Sequence, residues 1–132
     1  MTKPALSEEM YLDQRMIQLK DLLSVETITN DNGTAIKFSD GTLICKKTLT
    51  ITPSMKAWFG GLYYDDLSMG NWAYPFIDEN GPIISATIDN NQYWLASCGW
   101  YNKTSAGTCR ILRMNELNQS VTFNIIGYGR WK

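Results

Sequence analysis

The feature that most constrains this chain is a change of pattern at Ser24. Beyond it, short runs of β-favouring residues recur, each closed by a turn signal. The clearest is Ala35-Ile36-Lys37-Phe38, then Ser39-Asp40-Gly41, then the run from Thr42 to Ile51. An Asp-Gly step between two such runs predicts a tight hairpin, because the turn needs residues that tolerate positive φ. Pro53 ends the second run, since it has no N–H to give to a ladder. Further strands are expected at Ile83–Ile88, Gln92–Cys98, Thr108–Met114 and Ser120–Ile126. Glu79-Asn80-Gly81-Pro82, Asp89-Asn90-Asn91 and the polar stretch Asn102–Gly107 divide them. Residues 54 to 73 read as a long aromatic-rich loop containing a short strand. No helical pattern of useful length follows Ser24, so the expected fold is mainly β, an antiparallel sandwich or barrel.

Before Ser24 the pattern is helical over residues 7 to 23. Ser7 can cap the first turn, and Glu8 and Glu9 suit the positive end of the helix dipole. Leu12, Met16, Leu19 and Leu23 form a stripe with a coiled-coil period over about two heptads. Two readings follow: a short oligomerising bundle, or a helix lying on its own domain. The first is favoured, because so short a helix is marginal in water without a partner. The chain thus divides into an N-terminal helix or stalk, 1–28, and a β head, 29–132.

Composition narrows the function. The formal net charge is -1 and no basic block occurs, which argues against nucleic acid as a partner. No apolar run is long enough to insert in a membrane. Cys45, Cys98 and Cys109 make an odd count without a secretory leader, which favours free, buried thiols. A Cys98–Cys109 bridge across a hairpin is the alternative. No metal or other cofactor is expected: the chain has no histidine and no Cys-x-x-Cys, poor material for a zinc site.

The missing histidine also removes Ser-His-Asp and Cys-His nucleophilic centres. The pairs Asp65-Asp66 and Asp78-Glu79 could in principle serve a glycosidase. Adjacent strand residues point to opposite faces, however, so no enzyme is expected. Binding fits better. The chain holds five Trp and seven Tyr, and flat aromatic faces beside amides and carboxylates suit sugars. One candidate cluster is Trp58, Tyr63, Tyr64, Asp65, Asp66, Asn71 and Trp72. The other is Trp100, Tyr101, Asn102 and Lys103. Of the neighbours Tyr63 and Tyr64, one should face inward and one outward. Trp94 and Trp131 flank strand-like runs and are expected in the core. Trp72 is open between core and interface, and Trp100 and Tyr101 are the candidates for exposure.

Three segments carry a resemblance. The stretch from Asn32 to Cys45, with Ile36-Lys37-Phe38 and Asp40-Gly41-Thr42, is similar to the opening of the C-terminal domains of phage and prophage tail proteins. Tyr74-Pro75-Phe76-Ile77 followed by Pro82 to Thr87 resembles a second stretch of those domains. The ending Ile126-Gly127-Tyr128-Gly129-Arg130-Trp131-Lys132 resembles their Ala-Ile-Gly-Arg-Trp-Lys ending, with the departure that Tyr128 follows Gly127. The domain type also resembles the H-type lectin fold, a sandwich of about six strands that forms trimers. The resemblance implies a homotrimeric receptor-binding or tail-fibre tip in the virion tail. Its partners would be a host cell-wall saccharide and other tail proteins. A structural tail or baseplate component and a polysaccharide depolymerase head are the alternatives.

Overall fold

A computed structural model describes residues 24–132. The expected helix, with Leu12, Met16, Leu19 and Leu23, lies outside the described residues. Among the described residues there are nine strands, more than the six or so that the resemblance implied. They are β1 (Val25–Asn30), β2 (Gly33–Phe38), β3 (Thr42–Ile51), β4 (Lys56–Ala57), β5 (Tyr63–Ser68), β6 (Ile83–Ile88), β7 (Trp94–Gly99), β8 (Thr108–Arg113) and β9 (Val121–Arg130). They form two antiparallel sheets, ordered β1-β2-β3-β9-β6 and β4-β5-β8-β7. The protein is mainly β and sandwich-like, as the turn spacing predicts.

The ladder between β3 and β9 is the spine, paired from Thr42↔Arg130 to Ile51↔Val121. Its inward residues include Leu43, Cys45, Phe123 and Ile125, all 1% exposed or less. Burying Leu43, Phe123 or Ile125 is worth about 1.5–3 kcal/mol each. Gly127 and Gly129 share that face because aromatic rings lie over them. A Cβ at Gly129 would come 2.6 Å from the Phe76 ring. Leu67, Met69, Trp72, Cys109 and Ile111 complete the core from the other sheet and its loops.

β1 falls in a segment that sequence reasoning assigned to no strand. It pairs with β2 from Val25↔Phe38 to Asn30↔Gly33, across the division drawn between 28 and 29. The end of the chain closes over this hairpin. Trp131 Nε1 donates to the Phe38 carbonyl at 2.8 Å. The Trp131 and Tyr74 rings each lie 4.3 Å from the Lys37 ammonium, which also pairs with Glu26 at 3.4 Å. Trp131 is therefore half-buried against the core, a clasp rather than a core centre.

Lys47 breaks the apolar inward row of β3 and is only 6% exposed. Its Nζ donates to the Asn71 carbonyl at 2.7 Å, and burial pushes the amine's pKa down. The contact ties the loop after β5 to the spine.

Two sequence expectations are corrected here. Trp94 is not in the core; it is 56% exposed, and its neighbour Tyr93 occupies the interior at 3%. The Tyr93 hydroxyl donates to the Leu117 carbonyl at 2.8 Å and accepts from Gln119 N–H at 2.8 Å, so the ring is anchored from inside. The second correction concerns the thiols. Cys98 and Cys109 form a disulfide, with Cα atoms 4.1 Å apart, and only Cys45 is a free buried thiol. The cause is a register shift between Leu95 and Ser97. Leu95 faces inward, so unbroken alternation would turn Cys98 outward. The extra residue at the bulge restores Cys98 to the inner face, opposite Cys109.

Candidate functional site

The outer face of the four-stranded sheet is built by alternation on β5 and β8. On β8, Cys109 and Ile111 point inward, so Thr108, Arg110 and Leu112 point outward. On β5, Asp65 and Leu67 point inward, so Tyr64, Asp66 and Ser68 point outward. The registers then set two outward rows across the sheet: Lys56–Tyr64–Leu112–Trp94 and Asp66–Arg110–Ser97.

Arg110 is at the centre. Its Nε and Nη2 donate to the two oxygens of Asp66 at 2.6 and 2.7 Å, a bidentate pair. The guanidinium carbon also lies 4.7 Å from the Tyr64 ring centroid and 5.0 Å from that of Trp58. The hydrogen bonds from Arg110 hold the Asp66 carboxyl below the usual aspartate range, and the same bonds raise the guanidinium. Beside the pair runs an open groove of about 380 Å³, lined by Asp66, Ser97, Gly99, Trp100, Thr108 and Arg110.

Trp100 rims this groove and is 82% exposed. It is the one described non-glycine residue with positive φ, at 55°. That region costs a bulky residue about 1–3 kcal/mol, so the surroundings must hold it there. Gly107 does so. Its backbone packs so close that a Cβ would collide with the Gly99 carbonyl oxygen and the Tyr101 N. The Asn102 carboxamide oxygen then ties the following turn, accepting from Thr104 N–H at 2.9 Å and Ser105 N–H at 2.8 Å.

The sequence candidates divide accordingly. Trp58, Tyr64 and Asp66 from the first cluster meet Trp100 from the second around Arg110. Tyr63 packs against the core, its neighbour Tyr64 facing out, as alternation predicts. Asp65 is buried at 6% and takes hydrogen bonds from Ser54 N–H at 2.9 Å and Lys56 Nζ at 2.7 Å. Trp72 is core, 4% exposed, its indole N–H donating to the Asn102 carbonyl at 3.1 Å. Asn102 is committed to its own turn, and Tyr101 lines a separate opening with Ile84, Ala86 and Leu95. Asn71 gives its carbonyl to Lys47, and Lys103 pairs with Glu79 at 2.7 Å. Asp65 and Asp66 point to opposite sides of the sheet.

Sequence reasoning missed Arg110, Ser97, Thr108 and Trp94. The signal for Arg110 and Thr108 was present in the alternation of Thr108-Cys109-Arg110-Ile111. The signal for Ser97 was not, because the bulge that turns it outward leaves no mark in composition.

Chemically the face offers stacking surfaces, a carboxylate with free lone pairs, and spare guanidinium N–H groups. The chain matches no protein-family model, no curated protein and no solved structure.

Proposed function

We propose that this chain is the head of a homotrimeric phage tail protein and that it attaches the virion to saccharide on the host surface. The observation that carries the reading is the outward aromatic platform of Trp58, Tyr64 and Trp100 about the Asp66–Arg110 pair, with Trp94 in the neighbouring outward row. Water-soluble proteins expose few large aromatics without use, and a cluster of them with convergent polar groups suits a sugar. The tail-protein part of the reading rests on the three resembling segments, Asn32–Cys45, Tyr74–Ile77 with Pro82–Thr87, and Ile126–Lys132. Aromatic faces would stack on the apolar C–H side of a pyranose, while Asp66, Arg110, Ser97 and Thr108 would meet its hydroxyl edge.

A shallow site of this kind is weak alone. Three heads per trimer raise apparent affinity through effective concentration, by about 10²–10⁴ when geometry allows joint engagement. The test is binding of the fluorescently labelled full chain to susceptible bacterial cells and to their purified wall polysaccharide. Saturable binding to both is expected. Absence of binding at high concentration overturns the reading.

A further inference from the structure

We infer that the Asp66–Arg110 groove selects a neutral, polyhydroxylated saccharide and discriminates against anionic glycans. The inference rests on the saccharide reading above. It follows from how the charges on this face are already spent. Arg110 gives two of its N–H groups to Asp66, at 2.6 and 2.7 Å. Its guanidinium carbon also lies over the Tyr64 and Trp58 rings, at 4.7 and 5.0 Å from their centroids. Lys56, the other cation of the face, is paired at 2.7 Å with Asp65. The groove's own charged pair, Asp66 and Arg110, sums to zero, and the charge of Lys56 is balanced from the inner side by the buried Asp65.

An anionic sugar therefore meets no unbalanced positive charge here. To reach Arg110 bidentately it must displace Asp66, whose carboxylate stays beside it and repels it. A hydroxyl asks for less. Of the five donors a guanidinium carries, two serve Asp66, so three remain. Each carboxylate oxygen keeps accepting capacity. The Ser97 and Thr108 hydroxyls line the groove with no hydrogen-bond partner among the described residues. Donors and acceptors thus stand side by side without net charge, the complement of a vicinal diol. Arg113 lies beyond the row, on the inward-facing phase of β8, and is engaged by Gln92 and Asn115.

The test compares the full chain on two length-matched probe sets by calorimetry: neutral hexose and N-acetylhexosamine oligosaccharides, and glycerol-phosphate and sialylated oligomers. Neutral probes are expected to bind at least about tenfold tighter, with affinity nearly independent of salt. In Asp66→Asn the guanidinium loses its counter-charge. Anionic probes should then gain about tenfold and become salt-sensitive, while neutral probes weaken. Arg110→Gln is the control: anionic probes gain nothing and neutral ones weaken. Circular dichroism checks that both variants fold. Tighter binding of anionic probes by the native chain overturns the inference and leaves the saccharide reading standing. An unchanged neutral-to-anionic ratio in Asp66→Asn does the same. No binding of either set overturns both.

Discussion

The two outer faces of the sandwich obey one alternation rule and come out differently. On the five-stranded sheet, the outward polar residues of β3 and β9 beyond Lys46, and those just past the ladder's end, pair with one another. Thr48 donates to Asn124 at 3.0 Å, Thr50 meets Thr122 at 2.9 Å, and Thr52 meets Ser120 at 2.9 Å. Toward the other end lies a mostly apolar row, Ile36–Ile44–Tyr128–Ile83, in direct register across four strands. On the four-stranded sheet the outward side chains are larger, charged and aromatic, and their hydrogen-bonding capacity is not exhausted. A face whose polar groups pair with each other has little left to offer a small ligand. A face with spare donors and acceptors beside open rings can bind one.

The largest effect expected on this contrast comes from the disulfide. Cys98 lies between Ser97 and Gly99, and Cys109 between Thr108 and Arg110, so the bridge joins the two strands that build most of the groove. Cys98→Ser with Cys109→Ser removes a crosslink over a short loop, with an expected loss of about 3 kcal/mol in denaturant unfolding. Saccharide binding should fall with it, since the register of β7 on β8 fixes the groove. Retained binding in the double variant would show that the aromatic platform holds without the staple.

Next in size is the split between two adjacent carboxylates. Asp65→Ala leaves the Ser54 N–H without its acceptor and Lys56 without its partner, at an expected cost of about 1–3 kcal/mol. Asp66→Ala removes a surface pair whose side chains are about one-third exposed, with an expected stability change under about 1 kcal/mol. The order reverses for binding: Asp66→Ala weakens it and Asp65→Ala leaves it largely intact. The pH profile of the Asp66–Arg110 pair has a definite sign. The folded Asp66 carboxyl titrates below its ordinary value of 3.8, so the pair contributes fully above that value. The contribution disappears as pH falls through the lower, folded pKa. Asp66→Asn should flatten that acid limb. Stability that still rises over the same window in the variant would assign the limb to other carboxylates.

These neighbours also show how much was legible in the sequence. The fold class was, because Asp40-Gly41 and the later turn signals space short β-rich runs regularly. The separation of Asp65 from Asp66 and of Tyr63 from Tyr64 was legible too, since alternation is a local rule. Which of two adjacent aromatics goes inward was not. Tyr93 wins over Trp94 because main-chain groups of the 117–119 segment, distant in sequence, surround its hydroxyl: the Leu117 and Gln119 carbonyls as acceptors of its proton and the Gln119 N–H donating to it. The disulfide and Ser97 were hidden by a one-residue bulge, which shifts phase without changing composition. Arg110 was hidden differently: its outward phase could be counted, but its partner Asp66 lies 44 residues away.

On the aromatic face, Trp100→Ala should cut saccharide affinity about tenfold or more, equivalent to about 1.4 kcal/mol. Its effect on folding should be slight or favourable, because the indole is exposed and the backbone strained. Trp100→Gly relieves that strain and removes the ring, so it should melt higher than the native chain and bind as poorly as the alanine variant. A glycine variant that still binds would move the contact to Trp58, Tyr64 or Trp94.

The smallest effect belongs to the mostly apolar row of the opposite face. Ile83 and Tyr128 are direct partners across β6 and β9, 78% and 46% exposed. Ile83→Lys with Tyr128→Glu replaces an apolar pair by opposite charges at cross-strand distance, so stability should stay within about 0.5 kcal/mol. That is a melting shift of about 2 °C for a domain of this size. Binding per head should not change, because the substitutions lie on the far side of the sandwich from Arg110. Mass in solution by light scattering sharpens the comparison. A native trimer that falls to a single copy in the variant, with binding per head retained, would assign this row to subunit contact and the other face to ligand. A trimer that survives would place the subunit contact elsewhere. Loss of binding per head without loss of fold would break the division of labour itself, since it would make the two faces parts of one site.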